Sequence, residues 1–156
     1  MGGDMKLWVD ADACPGPVRD ILLRASQRLR LPIVFVANKT LSLPRSELVS
    51  SVRVGSGLDV ADQYIAKQAQ SGDLAVTQDI PLAALLVPKG VVVLDPRGEL
   101  FTEDNISERL SVRNFMQELR ESGVVTGGPS GFSSQDRQQF AAALDRELAR
   151  LHKPRP

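Results

Sequence analysis

The residues of this chain that could do chemistry are mainly aspartates, and they recur at one kind of place. Asp10 and Asp12 follow the apolar run Leu7-Trp8-Val9. Asp79 follows Leu74-Ala75-Val76-Thr77, and Asp95 with Arg97 follows Val91-Val92-Val93-Leu94. Asn38 and Lys39 follow Ile33-Val34-Phe35-Val36-Ala37, while Asp59 and Asp62 open a helical stretch. Carboxylates that converge need a reason to do so. Two unit charges about 4 Å apart repel by roughly 4 kcal/mol at an effective dielectric of 20. A hard divalent cation relieves that repulsion, and an all-oxygen ligand set points to Mg²⁺ or Mn²⁺ rather than zinc. Such an ion activates water and offsets charge on a phosphodiester.

Other chemistries fail on residue count. The single histidine is His152, within five residues of the C-terminus, and the single cysteine is Cys14. Ser-His-Asp and Cys-His mechanisms need a positioned imidazole, and a terminal segment is a poor place for one. Zinc sites of Cys and His are excluded for the same reason. Cys14 stands near a helix start, which favours a thiolate, but without a His partner it reads as a packed or supporting thiol.

The elements that must carry these residues alternate. Short apolar runs at 6–9, 33–37, 52–54, 74–77 and 91–94 read as strands, and continuous apolarity suits strands buried on both faces. Between them lie helical patterns. Pro15 and Pro17 suit a first helical turn. Val18, Ile21, Leu22, Ala25 and Leu29 then form one stripe, with Arg19, Asp20, Arg24, Gln27 and Arg28 on the solvated side. A second helix from about Asp59 carries Val60, Ala61, Tyr64, Ile65 and Ala69, and a third opens at Asp79-Ile80-Pro81. Trp8 and Tyr64 read as core. From Thr102 the chain turns helical, with Ile106, Leu110, Phe115, Met116 and Leu119 as apolar positions. Gly123 to Gly131 reads as a loop, Ser133-Ser134-Gln135-Asp136 resembles a capping box, and a last helix buries Phe140, Ala141, Leu144, Leu148 and Leu151.

This alternation predicts an α/β fold, three layers α/β/α, with a mostly parallel sheet of about four to five strands and C-terminal helices. Right-handed crossovers put the strand C-termini on one edge, where ligands of open α/β sheets bind. That edge collects the aspartates. Many of them also stand at helix starts, where Asp is a preferred cap, and for Asp59, Asp62 and Asp79 capping is an equal explanation. Asp10 caps nothing obvious and has the stronger claim to function.

The chain has 156 residues, 42% hydrophobic and 24% charged, which fits one domain, over residues 5–151. Residues 1–4 and 152–156 read as flexible ends. Lys+Arg and Asp+Glu both number 19, so the chain does not coat nucleic acid by bulk charge. No apolar run reaches about 18 residues and no secretory signal is visible, so a cytoplasmic protein without a membrane partner is expected.

The segments Asp10-Ala11-Asp12-Ala13-Cys14-Pro15, Val36-Ala37-Asn38, Gly57-Leu58-Asp59-Val60-Ala61-Asp62, Asp79-Ile80-Pro81-Leu82-Ala83 and Pro96-Arg97-Gly98 together resemble the bacterial YaiI/YqxD family. Arg113-Asn114-Phe115-Met116, and Gly127-Gly128-Pro129 with Asp136-Arg137, extend the resemblance over about residues 5–151. The family is grouped with PIN-like domains, many of which are Mg²⁺- or Mn²⁺-dependent ribonucleases. The resemblance implies that Asp10, Asp62 (or Asp59) and Asp79 take the metal-holding acidic positions. The opening Asp-Ala-Asp-Ala-Cys-Pro departs from the usual PIN pattern, and the middle-helix acid sits near the helix start.

The leading expectation is therefore a metal-dependent nuclease acting on RNA. Its catalytic acids are Asp10, Asp12, Asp62 and Asp79, its metal ligands Asp10, Asp62, Asp79 and Asp59, and its substrate-binding residues Asn38, Lys39 and Arg97. A non-catalytic PIN-like domain that binds RNA or protein is the second reading. The third is a phosphatase of the haloacid-dehalogenase type using Asp10 and Asp12, which Cys14 at the fifth place of the motif disfavours.

Overall fold

A computed structural model describes residues 5–55, 57, 60–123 and 131–151. The two chain ends, Asp59, His152 and the Gly127-Gly128-Pro129 segment lie outside the described residues.

The first half alternates strand and helix. Strand β1 is Leu7–Asp10, and a single 3-10 turn, Ala11–Ala13, leads to helix α1, Gly16–Leu29. Strands β2, Ile33–Ala37, and β3, Val49–Arg53, follow with no helix between them. Helix α2, Val60–Gln68, leads to β4, Leu74–Val76. Helix α3, Ile80–Leu86, precedes β5, Val92–Leu94. A tight turn then forms β6, Leu100–Phe101, before helices α4, Glu103–Glu121, and α5, Ser134–Leu151.

One sheet holds all six strands in the order β3-β2-β1-β4-β5-β6. Every pairing is parallel except β5 with β6. The chain steps outward from β1 to β2 and β3, then returns through α2 to β4 on the other side of β1. The seam between β1 and β4 is thus the point where strand order reverses. In open parallel sheets such a seam leaves a crevice beyond the strand ends.

Strand alternation divides the core into two layers. Leu7, Val9, Ile33, Phe35, Leu74, Val76 and Leu94 face Val18, Leu22 and Ala25 of α1 and Phe140, Leu144 and Leu148 of α5. Trp8, Val34, Val36, Ala75 and Val93 face Ile65 of α2, Leu82 and Leu86 of α3, and Ile106 of α4. The result is the expected three-layer α/β/α arrangement. It has six strands rather than four or five, because the two-residue antiparallel β6 is too short to show a period.

Local signals set the ends of the elements. Asp79 caps α3 through its side chain, with Pro81 in the first turn. Thr102 and Asn105 form a reciprocal capping box on α4. Ser133 and Asp136 do the same at α5: the Asp136 N–H donates to Ser133 Oγ at 3.1 Å, and the Ser133 N–H to Asp136 Oδ2 at 3.0 Å. Edge strand β3 is half polar, as suits a strand with one unpaired side.

Two expectations need correction. Phe115 is 59% exposed and Val112 53%, although Leu110, Met116 and Leu119 on the same helix are half-buried. In α1, Ser26 is fully buried and donates to the Leu31 carbonyl at 2.6 Å, a position the hydrophobic stripe did not claim. No helix among the described residues is long and apolar enough to cross a membrane.

The β5–β6 turn approaches α5 closely. Asp95 Oδ1 accepts the backbone N–H groups of Arg97 and Glu99, and Gly98 has φ +92°. A Cβ at Gly98 would lie 2.6 Å from the Gln139 carbonyl oxygen. Gly98→Ala therefore combines left-handed backbone strain with a clash against helix backbone, and is expected to cost about 2 kcal/mol or more. Urea unfolding reads this directly, and an unchanged midpoint would contradict the contact.

Candidate functional site

The β1–β4 seam brings together three of the aspartates singled out by the sequence. Asp10 ends β1 and points, by alternation from Trp8, toward the α2 and α3 layer. Thr77 follows β4 and is 2% exposed. Its hydroxyl donates to Asp10 Oδ2 at 2.8 Å and accepts the Asp79 N–H at 3.0 Å. Asp79 in turn accepts the Leu82 N–H on Oδ1 at 2.9 Å. One hydroxyl thus joins the end of β1 to the start of α3. Because it accepts from Asp79, its proton is directed to Asp10.

Asp12 is held from the other side. Its Oδ2 accepts the Asn38 N–H at 2.9 Å, which ties the turn after β1 to the end of β2. Asn38 therefore contributes its backbone, and its side chain and that of Lys39 are exposed.

Burial raises the pKa of Asp10 above its ordinary 3.8, the Thr77 hydroxyl opposes the rise, and the charges of Asp79 and Asp12 add to it. Burial likewise pushes the Cys14 thiol up to about 12, opposed by Arg19 and assisted by Asp10. Cys14 is thus a neutral thiol packed against the core, not the thiolate that a helix start favours.

The remaining candidates stand on other elements. Asp62 is half-buried in the first turn of α2. Arg97 lies in the β5–β6 turn and pairs with Asp136 at 3.4 Å. Among the described residues, no three His, Cys, Asp or Glu side chains converge closely enough to hold a metal ion between them, and Asp59 is outside that set. Asp10 and Asp79 make a pair. Each spends one oxygen in the hydrogen bonds above, and its second oxygen carries no further hydrogen bond within the described residues.

Two residues went unnoticed in the sequence. Thr77 read as the polar end of a strand, although a hydroxyl two residues before a capping aspartate was a usable signal. Arg19 read as part of a solvated helix face. It is instead half-buried, its Nε is out of contact with solvent, and that donor has no partner.

The energetics of Asp10 can be tested. Its raised pKa means the fold favours the protonated carboxyl. That contribution is complete below the ordinary value of 3.8 and is lost as pH rises through the higher folded value. Asp10→Asn is therefore expected to raise Tm at pH 7, by on the order of 2 °C, with the gain disappearing in acid. Thr77→Val removes a donor and an acceptor together. It is expected to cost about 1–3 kcal/mol and to raise the Asp10 pKa further, with Thr77→Ser restoring both. Carboxyl titration by NMR alongside thermal melts checks both. An Asp10 pKa that does not respond to Thr77→Val would remove the coupling.

Comparison with known proteins places this architecture in a family. The family described as "Uncharacterized BCR, YaiI/YqxD family" matches residues 8–150. A UPF0178 protein of Myxococcus xanthus is 79% identical over 152 residues, covering 97% of this chain and 99% of the relative. UPF0178 proteins of Syntrophobacter fumaroxidans and Geobacter metallireducens are 58% and 59% identical over 149 and 147 residues. These alignments cover 96% and 94% of this chain, and 97% and 95% of the relatives. No solved structure matches. The family's description and these relatives' names assign no activity. On a match that spans nearly its whole length, the chain belongs to the YaiI/YqxD family.

Proposed function

We propose that this protein is a Mg²⁺- or Mn²⁺-dependent nuclease that hydrolyses phosphodiester bonds in RNA. The observation that carries the reading is the meeting of Asp10 and Asp79 across the β1–β4 seam, with Asp12 beside them. Burial first, and then the like charges of Asp79 and Asp12, raise the Asp10 pKa there, and a divalent cation would offset the charge part of that cost. The donor chemistry fits such an ion. Mg²⁺ keeps several waters and is commonly held by only one or two carboxylates together with substrate phosphates. Asp10 and Asp79 would hold it, with Asp62 and Asp59 as further acids. The ion, when bound, neutralises the developing phosphate charge and lowers the pKa of water.

The chain's own residues do the remaining work. The Thr77 hydroxyl fixes the Asp10 carboxylate, and the first turn of α3 fixes Asp79, so neither must reorganise during reaction. Asp12 is exposed, and its Oδ1 lies outside the bond to Asn38, so it is the carboxylate suited to accept a proton from the attacking water. Lys39 and Arg97 supply positive charge for the substrate backbone on either side of the seam.

Manganese titration with an end-labelled single-stranded RNA is the direct test. Cleavage is expected to rise with metal, and to fall on the order of 100-fold in Asp10→Asn and Asp79→Asn. Asparagine still caps a helix, so the second variant keeps α3 intact. Manganese is also expected to raise the Tm of the unmodified chain and not that of Asp10→Asn, because an ion that binds only the folded state stabilises it. Full cleavage by Asp10→Asn would refute the assignment. A metal-dependent Tm rise without cleavage would leave a binding domain in place of an enzyme.

A further inference from the structure

Arg19 differs from the other arginines of the described chain. Those that are not fully exposed have partners: Arg97 pairs with Asp136, Arg109 with Glu99, and Arg113 with Asn114. Arg28 and Arg30, more exposed, also form ion pairs. Arg24, Arg45, Arg120 and Arg137 stand in solvent. Arg19 alone among the described arginines is half-buried with neither a side-chain hydrogen bond nor an ion pair. Its Nε is shut off from solvent with no acceptor. An unmade hydrogen bond on a buried donor is costly, and more so on a charged group. With Nε closed to solvent, the part of this unpaired guanidinium that an acceptor from outside can meet is its outer nitrogens.

Its position says what kind of acceptor. Arg19 is in the opening turns of α1, at the same sheet edge as the aspartates, since α1 follows β1 after one short turn. Cys14 lies between them and is within electrostatic reach of both Arg19 and Asp10. The helix start itself offers little to an anion. Pro15 and Pro17 have no N–H, and the N–H groups of Val18 and Arg19 both go to the Pro15 carbonyl. The side chain of Arg19 is the charged donor at this helix start. The helix start is on the α1 side of the sheet, opposite the α2 and α3 side to which Asp10 points. A single strand that passes over the seam with one phosphodiester at the aspartates would put a neighbouring one on the α1 side.

We propose that Arg19 binds a backbone phosphate of the RNA strand next to the one cleaved, as a substrate-binding residue. The proposal rests on the nuclease reading for the identity of the strand, but the anion contact can be tested without catalysis.

The first measurement follows the Arg19 Nε–H resonance of the full chain in EDTA, where no cleavage occurs. A short single-stranded RNA is expected to shift it saturably, at concentrations at least about tenfold lower than inorganic phosphate. No response to either probe overturns the proposal, and a response to phosphate alone overturns the RNA assignment. The second measurement, with manganese, is steady-state cleavage by Arg19→Gln and Arg19→Lys. Arg19→Gln is expected to raise KM about tenfold and to leave kcat within about twofold, with Arg19→Lys in between. A fall in kcat at constant KM overturns the binding role. Arg19 gives up no bond within the described fold, so the Tm of Arg19→Gln is expected not to fall. Loss of folding in that variant would show a structural duty instead. If the unmodified chain cleaves no RNA, the nuclease reading fails while the resonance shift still decides whether Arg19 takes a phosphate.

Discussion

The candidate site depends on one hydroxyl. Thr77 sits where two parallel strands end side by side, and it is the only group that reaches both acids across the seam by hydrogen bonds described here. Acceptance from the Asp79 N–H leaves its proton for Asp10, so two carboxylates that repel each other are kept at one place by a shared neutral group. The arrangement balances opposed effects. Burial and neighbouring charge push Asp10 toward protonation, and the Thr77 bond pulls it back.

A second buried carboxylate works at the opposite edge of the sheet and shows the contrast. Asp73, 6% exposed, precedes β4. It accepts the backbone N–H groups of Lys6 and Gln70 and the Trp8 indole N–H, at 2.9 to 3.0 Å. Three donors satisfy it, from the residue before β1, from its own turn and from a core side chain. This is a structural acid that locks β1 to β4 at their N-terminal ends. The same pair of strands is therefore closed at one end by a satisfied aspartate and open at the other around less satisfied ones. Hydrogen-bond satisfaction therefore differs between the two ends of one seam.

The sequence shows much of this. Continuous apolar runs identified the central strands, because strands buried on both faces have no polar alternation. Pro15 marked a helix start because its ring suits a first turn, and Asp79 and the Ser133–Asp136 pair did so because capping is a local hydrogen bond between residues three apart. Counting His and Cys narrowed the chemistry to carboxylates before any geometry was known. The sheet's last strand stayed hidden in Leu100-Phe101, since two residues cannot display a period. The exposure of Phe115 and Val112 was equally invisible, because periodicity shows that a helix has an apolar face but not what covers it.

What the sequence determined by itself was therefore local and compositional: the α/β alternation, the edge on which the aspartates gather, and the kind of atoms available to react. What only the tertiary structure decided was pairwise. It brought Asp10, Asp12 and Asp79 to one place and made Thr77 the link between two of them. It left Arg19 without a partner where a helical stripe had assigned it to solvent. The reason is physical. A hydrogen bond between residues 10 and 77, or the burial of one guanidinium nitrogen, depends on how strands separated by tens of residues come side by side. No spacing within a single element encodes that.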